Sequence, residues 1–366
     1  MPVTRFTSRI ERVAQELQDL GLDAMLASTP VCMGYLHGLF EGSHERFMVL
    51  AINAEGQVRL ICPALTENQA RRADIEDVCG WRDGEEPMDA FRKLAEDWQL
   101  RSGVIAVDEF MPARFLLELQ DVLPAALYRP AGELMARLMR VKDPSEVEKL
   151  RAAGAIVDEV YEASYPFIHA GMSELEVQTI LEDGVRARGG KTTFCIVGVG
   201  PGSGEPHHLN DDRRIQSGDV VLMDFGCELE HYQADITRCI VVGKASDEVK
   251  HVYKTVYASH MAGRRAIKPG VACEQIDAAA RKVIQEAGFG PQFMHRLGHG
   301  IGMNGHEQPN IVEGNKLPLE PGHCFSIEPG IYLEGKFGIR IENIVTVTND
   351  GHDSLNAEPP AEIPEV

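Results

Sequence analysis

Apolar residues recur at helical spacing near the start of the chain. Ile10, Val13, Leu17 and Leu20 share one face of a helix predicted over residues 8–20, and Gly21 stops it. Strand-like runs follow at residues 22–26, 46–53, 57–62 and 103–107, with helical stretches between them, which is an α/β alternation. The pattern breaks at Arg140-Val141-Lys142-Asp143-Pro144. There Pro144 disfavours helix in the residue before it, and Ser145 with Glu148 reads as a capping box for a new helix. That helix carries Val147, Leu150, Ala153, Val157 and Tyr161 at helical spacing, and Ser173 with Glu176 caps the next. Residues 219–229 and 234–242 then read as two antiparallel strands around a polar turn. The layout recurs: helical stretches at 248–265 and 273–287 precede a second strand pair at 324–332 and 338–348. A helix pair and a hairpin, twice over, predict an internal pseudo-duplication without a short sequence repeat.

Composition narrows the function. The 366 residues suit two domains of ordinary size, and 44% hydrophobic with 25% charged residues is a soluble globular composition. No apolar run approaches the length of a bilayer span, and the segment from Met1 to Phe6 leads into the first amphipathic helix without an apolar signal. The expectation is a cytoplasmic protein with no membrane partner. A net charge of −20 argues against nucleic acid, whose phosphates need clustered Lys and Arg. The eight cysteines are scattered with no C-x-x-C pair, so they read as small buried apolar residues and not as a zinc ribbon or disulfide framework.

The chemistry lies in the two predicted hairpins, each of which places a carboxylate on both strands. The first carries Asp224, in Val221-Leu222-Met223-Asp224-Phe225-Gly226, and Asp235, in Ala234-Asp235-Ile236-Thr237-Arg238. The second carries Glu328, before Pro329-Gly330, and Glu342, in Arg340-Ile341-Glu342-Asn343. An ionised side chain inside apolar strand sequence is costly unless it is paired or bound to metal. Singly, each has an ordinary reading: a partnered strand aspartate, a turn residue at Glu328, a Glu342–Arg340 pair. Jointly, four converging carboxylates would repel one another, and two divalent cations would offset that charge. His299, in Gly298-His299-Gly300-Ile301-Gly302, is a fifth donor, although a histidine among glycines could equally be a satisfied loop residue. Oxygen-rich ligation with one imidazole suits Mn²⁺, Fe²⁺, Co²⁺ or Zn²⁺.

These segments resemble the pita-bread metallopeptidases: prolidase, aminopeptidase P and methionine aminopeptidase. The likeness covers about residues 145–350 and rests on the Asp224 and Asp235 strands, the Gly298–Gly302 loop, Ile327-Glu328-Pro329-Gly330 and Arg340-Ile341-Glu342. It implies an α/β (α+β) chain, with a creatinase-like α/β N-terminal domain over residues 1–140 for dimerisation and a substrate roof. A pita-bread catalytic domain would follow over residues 141–366. By this resemblance Asp224 would chelate one metal and His299 and Glu328 the other, with Asp235 and Glu342 bridging. Glu328 would act as acid/base, and His207, in Glu205-Pro206-His207-His208, with His306, in Gly305-His306-Glu307-Gln308-Pro309, would stabilise the intermediate. The implied cofactors are two divalent ions, Mn²⁺ first, then Co²⁺, Fe²⁺ or Zn²⁺. The implied activity is Xaa-Pro dipeptidase on short peptides, in a homodimer. Alternatives are an aminopeptidase P, an amidinohydrolase or lyase, and a non-enzymatic interaction module on the same fold.

Some positions depart from the family pattern. Gln308 stands where many Xaa-Pro dipeptidases carry Trp, and Asn310 where they carry a base suited to a dipeptide's carboxylate, which opens room for longer substrates. Glu205 replaces an uncharged residue and reads as solvent-facing, and His208 reads as an ordinary loop residue. In the family a polar segment such as His37–Arg46 can reach a partner subunit. The Pro/Glu-rich residues 359–366 read as a frayed end.

Overall fold

A computed structural model describes residues 5–42 and 44–366. Met1–Thr4, where no signal segment was read, and Ser43, within the polar segment 37–46, lie outside the described residues. The chain forms two compact units, Met1–Leu138 and Met139–Val366.

The first unit is built on a six-stranded sheet in the order β4-β3-β2-β1-β5-β6. Its strands are β1 (Ala24–Ala27), β2 (Val49–Asn53), β3 (Val58–Pro63), β4 (Val78–Trp81), β5 (Val104–Val107) and β6 (Leu127–Pro130). β1 pairs antiparallel with β2 and β2 with β3, while β1–β5, β3–β4 and β5–β6 are parallel. Every residue of β1 and β2 is buried, as expected of central strands covered on both faces. The helices are α1 (Arg5–Leu20), α2 (Pro30–His37), α3 (Glu67–Arg72), α4 (Pro87–Asp97), α5 (Ala113–Val122) and α6 (Gly132–Met139). Phe47, Phe91, Phe115 and Leu119 fill one core. The sequence reading missed β4 and β6. Both are short edge strands, largely without the continuous buried run that marks β1 and β2.

In the second unit, α7 (Pro144–Ser164) and α8 (Glu174–Ala187) lead into a sheet of β7 (Lys191–Val199), β8 (Val220–Leu229) and β9 (Tyr232–Val241). The cap of α7 is not the Ser145–Glu148 box expected. Asp143 accepts from the Glu146 amide and Glu146 reaches back, which puts Pro144 at the first helical position where its missing N–H costs nothing. Ser173 and Glu176 do form the expected box. Next come α9 (Asp247–Ala266), α10 (Cys273–Glu286), β10 (Gly298–Gly300), β11 (Glu307–Ile311) and β12 (Cys324–Ile327). β13 (Gly330–Leu333), β14 (Phe337–Arg340), β15 (Asn343–Val347) and β16 (His352–Ser354) complete the unit.

Two expectations fail here. The second hairpin is not one strand pair. β12 pairs with β15 in a sheet ordered β11-β10-β12-β15-β16, and β13–β14 is a separate ribbon. Pro329 cannot donate to a ladder, the Glu328 amide donates to Leu297 O at 2.9 Å, and the Glu342 amide donates to Thr237 O at 3.2 Å. The carboxyl-terminal segment is also docked, not frayed. Val241 N donates to Pro364 O, Val366 N returns to Val241 O, and Tyr253 Oη bonds Pro360 O. Among the described residues no helix is long and apolar enough to cross a membrane.

Candidate metal centre

β8 and β9 pair in unbroken register from Val220↔Val241 to Leu229↔Tyr232. Asp224 lies opposite Thr237 and Asp235 opposite Gly226, so the period of two puts Asp224, Asp235 and Thr237 on one face. Met223, Phe225 and Ile236 face the other way into an apolar core. Glu328 and Glu342 sit at the breaks between β12 and β13 and between β14 and β15. His299 is the middle residue of β10. The glycine before it is required sterically, since a Cβ on Gly298 would lie 1.9 Å from Ser326 O.

The structure brings all five together. Asp235, His299 and Glu342 each offer a donor atom, and these atoms lie within 4.8 Å of one another. His299 Nε2 is 3.3 Å from Glu328 Oε1 and 3.8 Å from Asp235 Oδ2. Its Nδ1 faces the Gly300 carbonyl at 3.0 Å; a carbonyl only accepts, so Nδ1 carries the proton and Nε2 presents its lone pair to the carboxylates. Burial holds this imidazole neutral, pushing it down to about 3.

The carboxylates are tied on one side and open on the other. Arg340, itself buried, donates to Asp224 Oδ2, to Thr237 Oγ1 at 3.0 Å and to Tyr332 Oη at 2.7 Å. Thr237 Oγ1 donates to Glu342 Oε2 at 2.7 Å, and Ser326 Oγ to Glu328 Oε1 at 2.9 Å. Asp224 Oδ1, Asp235 Oδ1 and Glu342 Oε1 are buried with no hydrogen-bond partner among the described residues. An orphaned buried oxygen is expensive. Burial, then the neighbouring carboxylates, raise Asp235 and Glu342 well above the ordinary carboxyl range, and burial pushes Glu328 up to about 7. One guanidinium does not neutralise four carboxyl groups. Divalent cations, which bind carboxylate oxygen and imidazole nitrogen, fit this donor set.

Around the cluster, the His306 ring stands across that of His299, centroids 4.0 Å apart at 82°. Burial, foremost, lowers its proton affinity, and the charges of Arg296 and His207 add to that. Its loop is anchored by a buried ion pair, Lys142 Nζ–Glu307 Oε2 at 2.8 Å, while Glu307 Oε1 accepts from the Asn304 amide. His207 is exposed on the segment after β7, close enough to influence both His295 and His306.

Two departures from the family pattern, and the loop reading of His208, resolve differently. Glu205 is exposed, as expected. Asn310 is not without a cation, because Arg296 Nη1 donates to its Oδ1 at 2.7 Å. His208 is no ordinary loop residue: its Nε2 lies 2.7 Å from Oε2 of the fully buried Glu174. Sequence reasoning also missed Thr237, Ser326, Tyr332 and the true partner of Arg340, which is Asp224 and not Glu342. Their signal was the one that marked the carboxylates, polar residues on the buried face of apolar strands.

Comparison with known proteins agrees with this arrangement. Residues 148–349 match the model of metallopeptidase family M24, and residues 9–141 that of the creatinase/prolidase N-terminal domain. The chain is 34% identical over 353 residues to an Xaa-Pro dipeptidase of Lactobacillus helveticus, covering 93% of this chain and 95% of the relative. A solved structure of prolidase from Thermococcus sibiricus superposes with a TM-score of 0.95 at 32% identity, covering 99% of this chain and 100% of that one. Dipeptidase PepE from Mycobacterium ulcerans gives 0.94 at 35% identity, covering 100% and 99%. Matched over nearly all of its length in both sequence and fold, this chain belongs to the pita-bread metallopeptidases of family M24.

Proposed function

We propose that this protein is a two-metal exopeptidase that hydrolyses Xaa-Pro dipeptides. The observation that carries the reading is the set of partnerless buried oxygens on Asp224, Asp235 and Glu342, gathered around a neutral His299 whose Nε2 faces them. In this reading Asp224, Asp235, His299, Glu328 and Glu342 would hold the two ions. When bound, two divalent ions supply Lewis-acid polarisation of the scissile carbonyl and make an attacking water acidic enough to ionise near neutral pH. Mn²⁺ is the ion proposed, with Co²⁺, Fe²⁺ and Zn²⁺ as the competitors.

The chain's own residues divide the remaining work. Glu328, at the break after β12, accepts a proton from water and passes it to the leaving amine. Ser326 fixes its Oε1. His306 and His207 donate to the developing oxyanion or to the leaving group. Arg296, hydrogen-bonded to Asn310, provides the cation that a dipeptide's carboxylate end requires, which supports a dipeptidase over an enzyme for longer chains. Residues 1–140 are assigned dimerisation and the substrate roof, and residues 141–366 catalysis, in a cytoplasmic homodimer.

The test is hydrolysis by metal-stripped protein restored with each ion, using Xaa-Pro dipeptides, Xaa-Pro-Yaa tripeptides and matched alanine peptides. Ion-dependent cleavage of the Xaa-Pro dipeptides is expected, with Glu328→Gln slower by roughly 10²–10⁴-fold. Preference for tripeptides would make it an aminopeptidase P. Equal cleavage of the alanine series, or an undiminished rate in Glu328→Gln, would contradict the reading.

A further inference from the structure

The segment that carries His207 is built into the protein from two sides. On one side Ser203 Oγ donates to Gly200 O at 2.6 Å and accepts from the Gly338 amide at 2.9 Å, which fastens the segment's start to β14, two residues from Arg340. On the other side stands Glu174, at the first turn of α8 and fully buried. Its Oε1 accepts from Val199 N at 2.8 Å, and its Oε2 accepts from His208 Nε2 at 2.7 Å and from Asp211 N at 2.9 Å. Asn210 completes the hold by accepting from Val197 N and donating to Cys195 O and Gln178.

Packing leaves the Glu174–His208 pair little room to shift. A Cβ on Gly202 would lie 3.0 Å from His208 Nε2 and 3.1 Å from Glu174 Oε1. Glu174, His208 and Asp211 are close enough to resemble a metal-donor triad. However, three donors already occupy the Glu174 carboxylate, so no oxygen is left orphaned as at Asp224, Asp235 and Glu342. The arrangement is a clamp.

We infer that Glu174 and His208 are positioning residues that fix the segment carrying His207, the histidine proposed to serve the reaction, with His208 acting only through its neighbour. The inference rests on the role proposed above for His207. A buried carboxylate suits this task because it can accept an imidazole and two amides at once, joining α8, β7 and the His207 segment at one point. The side chain after His207 therefore sets where the His207 ring stands.

A double-mutant cycle tests this in the metal-restored enzyme on an Xaa-Pro dipeptide. His208→Ala should lower kcat about tenfold with KM changed less than about twofold, because the group displaced is one used beyond substrate binding. His208→Gln, which can still donate to Glu174, should recover to within about threefold of wild type. In a His207→Ala background, His208→Ala should cost less than about twofold more. A further tenfold loss in that background, or a glutamine variant as impaired as alanine, would overturn the inference. Amide hydrogen exchange reads the clamp without any activity. Faster exchange at residues 205–211 in His208→Ala, restored by glutamine, with β8–β9 unchanged, is expected even if no peptide is cleaved. Unchanged exchange there would refute the clamp.

Discussion

The two hairpins that supply the carboxylates solve one problem in different ways. β8 and β9 run as an unbroken ladder of ten pairs, and Asp224 and Asp235 occupy ordinary inward positions within it. In the second half the ladder is cut. Ile327↔Asn343 is the last pair of one sheet and Gly330↔Arg340 the first pair of the next ribbon, with Glu328 and Glu342 in the gap. Their amides bond to Leu297, just before β10, and to Thr237 on β9, so the break aims both glutamates toward the first hairpin. A regular sheet presents donors on one face only; enclosing a cation from several directions requires a strand to leave its ladder. Arg340 and Thr237 then lock the halves together, through Asp224 and Glu342.

Removing that lock should have the largest effect. Arg340→Met leaves Asp224, Thr237 and Tyr332 without their shared donor in a buried site. Denaturation of the metal-free protein should show a loss of about 3–5 kcal/mol, as for other broken buried pairs. A loss under about 1 kcal/mol would mean that the halves are held together by apolar packing alone.

A smaller effect separates the strand carrying His299 from the regular hairpin. Gly298→Ala pushes a methyl onto the Ser326 carbonyl and should cost about 1–3 kcal/mol by thermal or chemical unfolding. Because Ser326 Oγ also orders the His299 amide and Glu328, this variant should bind Mn²⁺ more weakly than wild type at equal folded fraction. Unchanged ion affinity would show that the broken strand tolerates movement that the account denies it.

The smallest expected effect lies where α7, behind the first hairpin, meets the chain that follows the second. Asp158 accepts from Ala357 N at 2.7 Å and stands 4.0 Å from Arg238, yet burial pushes it up to about 6. A carboxyl raised on folding binds more protons in the native state than in the unfolded one across that interval. Stability therefore falls as pH rises from about 4 to about 6. Against Asp158→Asn, wild type should lose on the order of 1 kcal/mol over this window. His323, pushed down to about 4 by burial, contributes the opposite slope, and taking the difference between the two proteins cancels it. A flat difference would remove Asp158 from the account.

How much of this was legible depended on regularity. Two largely apolar runs around a polar turn announced β8 and β9 and carried two of the carboxylates that the structure gathers; the turn itself is tighter than read, at Glu230-His231. The second hairpin was read as continuous because residues 324–332 and 338–348 are mostly apolar on either side of Glu328 and Glu342. The interruption is tertiary: it depends on where the Glu328 and Glu342 amides find acceptors, which local pattern does not encode. β4 and β6 were lost because edge strands bury little. The roles of Arg296, Arg340 and Glu174 were hidden for a related reason, since a charged side chain betrays its partner only when the fold brings the two together. Even so, a local signal can mislead: Ser145 with Glu148 read as the capping box, while Asp143 with Glu146 forms it, with Pro144 at the first helical position.

The central claim is that the broken and unbroken hairpins together hold two divalent ions. Calorimetric titration of chelator-stripped protein with Mn²⁺, alongside its denaturation midpoint, tests this most directly. Two equivalents per chain should bind and raise the midpoint, since ions that bind only the folded state stabilise it. No saturable binding, or binding that leaves the midpoint unmoved, would contradict the account.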